Sequence, residues 1–391
     1  MFNLIAYRTL IIFVFITQAI NFNFAQDNIF SNNFDTSAKY AYLVDFESGE
    51  VLYDKNGNTL MPPSSMTKIM TSYIIFQNLQ NGDLKLSDKF IISDKAAKKG
   101  GSKIFLKSGQ KVSVDELLKG VIVLSGNDAS IALAEALDGS EESFANKMNI
   151  YAKKLGLKNS VFKNSTGWPD EGHLMSSKDL VTLAIRLLKD FPEYYHYHSI
   201  KRYSFNKVRQ NNRNTLIGAY GVDGIKTGKK TDIGGHGIVI SAKKGERRLI
   251  AVINGLGSEK EREREARKLL NFGFSNFKNL TLFKGHKEVI EGDVIYGNLN
   301  KIALNVKSEI IITVPNNYDK MKDLLFLTEF QEPLKAPVKQ GEVVGKLKIM
   351  DSKNNTLIKE VELITSIDVN EAGFFKRSIQ GIKYFFKKLI G

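Results

Sequence analysis

Residues 62–76 read Pro-Pro-Ser-Ser-Met-Thr-Lys-Ile-Met-Thr-Ser-Tyr-Ile-Ile-Phe, and this stretch decides the fold. The two prolines favour an extended approach that ends at the first turn of a helix. The residues that follow are apolar nearly all the way round, which predicts a buried helix from Ser65 to Leu79. Ser65 and Lys68 are three residues apart and therefore share one face of its first turn.

This first turn contains the groups needed for nucleophilic catalysis. Ser65 lies where the positive end of the helix dipole would stabilise a developing anion. Lys68 can act as a base if burial and a nearby cation lower its pKa. A Ser-x-x-Lys pattern also arises by chance, so this interpretation needs support from elsewhere in the chain.

A second motif, Ser125-Gly126-Asn127, stands between two helical runs. Its Ser125 hydroxyl can relay a proton between Lys68 and a leaving amine. Its Asn127 side chain can hold the amide of a substrate.

A third motif, Lys226-Thr227-Gly228, precedes a predicted strand. Lys226 supplies a second cation, and Thr227 offers a hydroxyl to a carboxylate. Gly228 has no side chain, so a substrate backbone can pair with the strand edge. Ser-x-x-Lys, Ser-x-Asn and Lys-Thr-Gly in this order are the signature of penicillin-recognising serine acyltransferases.

Other catalytic classes lack support. The chain has no Cys, which excludes disulfides, thiolate zinc sites and cysteine nucleophiles. None of its five His accompanies a Gly-x-Ser-x-Gly motif, and neither His-Glu-x-x-His nor an acidic metal loop occurs. We therefore expect neither a metal nor another cofactor.

With these motifs the chain resembles the low-molecular-mass penicillin-binding proteins, specifically the D-alanyl-D-alanine carboxypeptidases, over about residues 34–370. The segments that carry the resemblance are residues 63–71, 124–129, 209–214, 222–228 and 264–266. The resemblance implies an α+β fold of the penicillin-binding transpeptidase-like, β-lactamase-like kind. In that fold an antiparallel sheet is covered by helices, a helical subdomain is attached, and a small all-β domain follows.

The resemblance also implies the reaction. Ser65 would be acylated by the penultimate D-Ala of a peptidoglycan stem pentapeptide, releasing terminal D-Ala, and water would then free the enzyme. Backbone N–H groups of Ser65 and Lys229 would hold the oxyanion. β-Lactams would be covalent inhibitors. An exposed strand end remains the alternative for Lys229.

Two arginines enter through the resemblance as substrate-binding residues. Arg264 would help to bind the terminal carboxylate, the alternative being a helix-surface residue among neighbouring glutamates. Arg213 would also contact substrate, the alternative being a structural ion pair. Three other functions stay open: a D,D-endopeptidase acting on cross-links, a non-catalytic penicillin-binding scaffold, and a β-lactamase. The last is less favoured because no segment resembles the Glu-bearing deacylation segment of class A lactamases.

The net charge of +14 is concentrated in two segments. Residues 201–270 carry +10 and residues 372–391 carry +5. No nucleic-acid-binding module accompanies them, so no nucleic-acid partner is expected. The first segment holds Lys226 and suits a substrate that ends in a carboxylate.

The two ends predict export and attachment to a membrane. Residues 1–25 read as a signal peptide, an uncleaved anchor being the alternative. The catalytic domain is expected over 26–280 and the small β-rich domain over 281–369. Residues 370–391 read as a basic amphipathic helix that lies on an anionic membrane, or else docks on the protein's own core. We expect a periplasmic protein attached to the outer face of the inner membrane.

Overall fold

The computed structural model describes residues 34–229, 234–320 and 322–390. The predicted signal peptide and Lys230 lie outside these residues. The strands up to residue 256 are β1 Tyr40–Asp45, β2 Val51–Lys55, β3 Lys89–Ile91, β4 Lys111–Ser113, β5 Arg202–Phe205, β6 Val208–Asn211, β7 Val222–Gly228, β8 His236–Lys244 and β9 Arg247–Leu256. The helices up to residue 276 are α1 Lys68–Asn81, α2 Asp94–Lys98, α3 Val114–Val123, α4 Asn127–Asp138, α5 Glu141–Lys154, α6 Ser177–Asp190 and α7 Glu259–Asn276.

A five-stranded antiparallel sheet organises this first part, in the order β2-β1-β9-β8-β7. On one face, Leu269 and Leu270 of α7 pack with Leu43 and Ile238 of the sheet. On the other face α1 lies in a larger core together with the helices α3, α4, α5 and α6. The predicted α+β arrangement of a sheet covered by helices is confirmed.

Where the sequence predicts helical runs on either side of Ser125-Gly126-Asn127, the structure has three helices. A capping box, in which Ser113 and Glu116 exchange backbone and side-chain hydrogen bonds, starts α3. Ser125, with φ 61°, interrupts the run before α4. Gly139, in the left-handed region, ends α4, and the Ser140 side chain caps α5. The break after α3 places the second motif at the start of α4.

The second part is a small all-β unit, as expected. Its strands are β10 Phe277–Phe283, β11 Glu288–Ile295, β12 Lys301–Val306, β13 Ile310–Pro315, β14 Leu324–Phe330, β15 Leu334–Lys335, β16 Val343–Asp351 and β17 Thr356–Thr365. They form a six-stranded sheet, β14-β16-β17-β12-β11-β15, and a β10-β13 pair. The strand β10 begins directly after α7 and runs across residue 280.

The turn between β1 and β2 is bonded to the all-β unit. The Ser48 and Thr313 hydroxyls lie 2.6 Å apart, and Lys359 Nζ donates to the Ser48 carbonyl at 2.9 Å. The buried carboxylate of Asp45 accepts a hydrogen bond from Asn279 Nδ2 at 3.0 Å. Buried polar contacts of this kind require fixed geometry, so they hold the two parts in one relative position.

The chain ends in an amphipathic helix, α8 Phe374–Ile390. Its polar side is tied to the all-β unit, since Lys376 Nζ donates to the Asn298 carbonyl at 2.7 Å. Its apolar side is uncovered by the described residues: Phe375 is 83% exposed and Ile382 58%. This arrangement is the reverse of a helix docked by its apolar face. Across the described ranges no helix is both long and apolar enough to cross a membrane.

Candidate active site

The nucleophile turn is a 3-10 helix, Ser64–Thr67, that runs directly into α1. Ser64 has φ 48°, a left-handed conformation that costs free energy for a residue with a side chain. Its carbonyl presses on Gly167, where an added Cβ would lie 1.8 Å from the oxygen. Glycine is therefore required at 167, and the strained turn is held against the loop that contains it.

Lys68 lies at the centre of the site. Its Nζ donates to Ser65 Oγ at 3.2 Å, to Asn127 Oδ1 at 2.8 Å and to the Thr166 carbonyl at 2.5 Å. The whole side chain is buried, with 1% of the residue exposed. The buried helix predicted from the apolar run thus places the amine beside the candidate nucleophile.

Burial lowers the pKa of Lys68 to about 7, because the charged form loses its hydration. The negative charges of Glu141 and Asp128 oppose this shift and the positive charge of Lys99 adds to it. A substantial fraction of Lys68 is therefore neutral near pH 7 and can accept a proton from Ser65.

The second motif is held by hydrogen bonds to a loop earlier in the chain, at residues 100–102. Asn127 Nδ2 donates to the Gly100 carbonyl at 2.9 Å, and the Asn127 N–H donates to the Ser102 carbonyl at 2.7 Å. Ser125 is 3% exposed, and its hydroxyl forms no hydrogen bond within the described residues. The sequence predicted that Asn127 would hold a substrate amide, whereas here it also orients Lys68.

The third motif forms the end of β7, the last strand of the sheet as described. Lys226 and Thr227 are 3% and 5% exposed. Burial lowers the pKa of Lys226 well below its usual value, and the charges of Lys68, Arg213 and Arg262 lower it further. Gly228 lies against the nucleophile turn, with the Pro63 carbonyl 3.3 Å from where a Cβ would be. The strand thus brings basic side chains close to the nucleophile turn.

Arg262 and Arg264 lie on different faces of α7, and Arg264 is on the exposed one. Its side chain is 56% exposed and lies 3.0 Å from Glu265 and 3.7 Å from Glu261, which is the helix-surface alternative. Arg262 is 3% exposed, and its Nη2 donates to the Arg213 carbonyl at 3.4 Å.

Helix phase explains the difference. Arg262 is seven residues before the buried Leu269 and shares its face, whereas Arg264 is turned about 200° from Arg262. This phase was available in the sequence, so Arg262 could have been found there.

The remaining predicted residues lie at the rim. Arg213 is exposed, and its Nη2 donates to Gln210 Oε1 at 2.9 Å. It forms no ion pair with a described residue, so the structural ion pair is not the arrangement seen. Lys229 follows Gly228, and its side chain is exposed, as expected of a strand end. The oxyanion role that the family resemblance implies belongs to its backbone N–H and not to this side chain.

The loop that binds Lys68 was not identified from the sequence. Asn164 Oδ1 accepts hydrogen bonds from the N–H groups of Thr166, Gly167 and Trp168 at 3.2, 2.8 and 3.1 Å. This fixes the Thr166 carbonyl that faces Lys68. The Asn-Ser-Thr-Gly run at 164–167 signals a turn. Nothing in it signals that a backbone oxygen would take part in the site.

Comparison with known proteins places this geometry in a family. A family profile described as D-alanyl-D-alanine carboxypeptidase matches residues 26–257, and one described as the C-terminal domain of penicillin-binding protein 5 matches residues 277–371. The chain belongs to the D-alanyl-D-alanine carboxypeptidase family. The predicted low-molecular-mass penicillin-binding protein and serine-type enzyme are confirmed.

Individual relatives of this carboxypeptidase family match along most of their length. D-alanyl-D-alanine carboxypeptidase DacF of Bacillus subtilis is 39% identical over 361 residues, which cover 89% of this chain and 90% of DacF. DacC of Escherichia coli is 40% identical over 344 residues, covering 86% and 85%. The crystal structure of penicillin-binding protein 5 from Haemophilus influenzae has a TM-score of 0.82 and 34% identity, covering 87% of this chain and 99% of that one.

Proposed function

We propose that this enzyme removes the terminal D-Ala from peptidoglycan stem pentapeptides through an acyl-enzyme on Ser65. The observation that carries the proposal is the 3.2 Å contact between Ser65 Oγ and the buried Lys68 amine, whose pKa is lowered to about 7. A neutral amine at this distance is suited to take the Ser65 proton as the hydroxyl attacks.

The proposed reaction has two steps. Ser65 Oγ attacks the carbonyl of the penultimate D-Ala as its proton passes to Lys68 Nζ. The backbone N–H groups of Ser65 and Lys229 hold the negative oxygen. The C–N bond then breaks, and the proton reaches the leaving amine of D-Ala through Ser125. Water attacks the ester, returns the proton to Ser65 and releases the shortened peptide.

The cations around β7 suit the free carboxylate of the substrate. Lys226, Thr227 and Arg262 lie on the strand and on the buried face of α7, and Arg213 stands at the rim. Within the described residues, Lys226 Nζ has one hydrogen bond, a long one of 3.4 Å to the Thr227 carbonyl. A carboxylate beside it would form an ion pair with the protonated amine. Gly228 and the outer edge of β7 would pair with the peptide backbone.

The place of action is part of the same proposal. We infer export by residues 1–25, a catalytic domain over 26–280, a β-rich domain over 281–369 and a membrane-surface helix over 370–391. The uncovered apolar side of α8 and its basic residues support attachment to an anionic bilayer. This gives a peripheral protein on the periplasmic face of the inner membrane, where it takes part in peptidoglycan biosynthesis and so in cell shape.

One assay tests the activity. The full chain and its Ser65→Ala variant are incubated with a fluorescent penicillin and, separately, with a pentapeptide that ends in D-Ala-D-Ala. We expect covalent label and D-Ala release from the wild type and neither from the variant. Absence of both from the wild type supports the non-catalytic scaffold instead. Rapid turnover of the penicillin supports a β-lactamase. Cleavage of a cross-linked stem-peptide dimer to monomers, without D-Ala release from the pentapeptide, supports an endopeptidase.

A further inference from the structure

A cleft opens beside the nucleophile, between residues 60–64 and the loop 167–174. Its walls include the apolar side chains of Leu60, Pro63 and Trp168. Its rim includes two consecutive carboxylates, Asp170 and Glu171. None of the reaction steps described above uses these residues.

The cleft lies at one end of the site and the cations lie at the other. Gly167 touches the Ser64 carbonyl, and Gly228 faces the Pro63 carbonyl, so the cleft adjoins the nucleophile and the end of β7. Lys226 comes two residues before Gly228 on β7, close enough to Arg262 for the charge of Arg262 to lower its pKa. A peptide whose terminal carboxylate reaches Lys226 would therefore run along β7 toward the cleft with its N-terminal part.

The carboxylates of the cleft contrast with the basic side chains around β7, although Lys99 Nζ lies 4.5 Å from the centre of the Trp168 ring. Asp170 and Glu171 are both exposed and form no ion pair with a described residue. Lys163 runs beside Gly172 on the same loop and is likewise without an ion-pair partner in the described ranges. Apolar walls with a carboxylate rim suit a side chain that has a methylene stem and an ammonium end.

We propose that this cleft binds the side chain of the substrate residue before the D-Ala pair and selects one that ends in an alkylammonium group. The inference rests on the proposed carboxypeptidase function and names the specificity of the same site. A side chain whose amine is acylated keeps the methylene contacts but loses the attraction to Asp170 and Glu171. The enzyme thus distinguishes free amines from capped ones at this position.

The test uses two peptides that differ only at this amine, acyl-L-Lys-D-Ala-D-Ala and the same peptide acetylated on Nε. We expect the full-length wild type to have a kcat/KM about three- to tenfold higher for the free amine, as for two exposed charge pairs. In the double variant Asp170→Asn, Glu171→Gln the ratio should fall to about one. It should also fall in the wild type as the salt concentration rises.

A matched control removes a carboxylate elsewhere. Glu142→Gln on the exposed side of α5 should keep the wild-type ratio, and melting temperatures show that each variant is folded. A fall in the ratio with Glu142→Gln as large as in the double variant would show a general charge effect and overturn the proposal. A wild-type ratio of one, with both peptides hydrolysed, overturns the cleft assignment alone. No hydrolysis of either peptide overturns the carboxypeptidase function and the cleft assignment with it.

Binding can be followed apart from hydrolysis. Trp168 is the only tryptophan in the chain, and it lines the cleft. In a Ser65→Ala background, the free-amine peptide should change Trp168 fluorescence at a lower concentration than the acetylated peptide. Equal concentrations for the two peptides would contradict the assignment.

Discussion

Lys68 Nζ lies 2.8 Å from Asn127 Oδ1, so the base of the first motif is oriented by a residue of the second. Replacing this amide by a carboxylate of the same shape should stabilise the protonated form of Lys68. The rate of acylation by penicillin should fall on the acidic side near pH 7, where Lys68 becomes protonated. We expect Asn127→Asp to move this fall to higher pH by about one unit or more. Stopped-flow acylation rates between pH 5 and about 10 measure this shift.

The neutral variant Asn127→Ala separates charge from contact. It removes the oxygen that favours the protonated amine. The acidic fall of its acylation rate should therefore not move to higher pH. Equal profiles for Asn127→Asp and the wild type would mean that Lys68 is not the group whose deprotonation limits acylation.

Stability should report the buried Lys68 as well. Its pKa is lowered from 10.5 to about 7 in the folded state, so between these values the unfolded chain binds more protons. The free energy of unfolding of the wild type therefore gains up to about 1.4 kcal/mol per pH unit over this range from Lys68 alone. Below about pH 7 both states are protonated and the gain is absent.

The variant Lys68→Met lacks this contribution. The wild type should thus become more stable relative to Lys68→Met as the pH rises from about 7 to 9 in urea titrations. Lys226 is present in both proteins, but the charge of Lys68 is one of the causes that lower its pKa, so its contribution does not cancel completely. Stability curves that run parallel across this range would contradict a lowered pKa at Lys68.

The two α7 arginines form a matched pair for testing carboxylate recognition. Arg262→Leu should lower kcat/KM for the pentapeptide about 10- to 100-fold, the loss expected for a hydrogen bond to a charged group. Arg264→Gln on the exposed side should change it less than about twofold. A larger effect from Arg264→Gln than from Arg262→Leu would contradict this prediction and support Arg264, the residue assigned from the sequence.

The loop at 164–168 should prove necessary for both stability and catalysis. Asn164→Ala removes the acceptor for three N–H groups and frees the Thr166 carbonyl that holds Lys68. We expect about 1–3 kcal/mol of lost stability and slower acylation. Asn164→Asp keeps the acceptor and should retain most of the stability; equal losses in both variants would show that the acceptor is not what orders the loop.

Membrane attachment by α8 can be tested by deleting the helix and by changing single residues within it. A chain that ends at residue 371 should leave the membrane fraction. Ile382→Glu puts an acid on the exposed apolar side and should have the same effect, whereas Gln380→Glu adds the same charge on the polar side and should have less. Persistent binding of the truncated chain would place the membrane contact elsewhere.

Sequence reasoning found the parts of the site that depend on local pattern. The spacing of Ser65 and Lys68 and the apolar helix around them dictate their shared buried face. The C-terminal amphipathic helix is likewise predicted by the spacing of its apolar residues.

Other features depend on contacts between distant segments. The role of Thr166 comes from a backbone oxygen, which any residue type would provide, and it reaches Lys68 only because the Ser64 carbonyl packs on Gly167. Arg264 was assigned because residues 264–266 resemble a segment of the family. The structure instead buries Arg262, which lies on the same face of α7 as Leu269. Burial, more than neighbouring cations, sets the pKa of Lys68, and burial is a property of the assembled fold.

The bonds from Ser48 to Thr313 and Lys359 have a mechanical consequence. They join the catalytic part to the all-β unit at a rigid seam, and Lys376 joins that unit to α8 through Asn298. Hydrogen bonds therefore link α8 to the all-β unit, and that unit to the part that contains Ser65. If α8 lies flat on a bilayer, these links hold the active site at one height above the surface and in one orientation. The stem peptides that the enzyme can reach are then those at that distance from the surface.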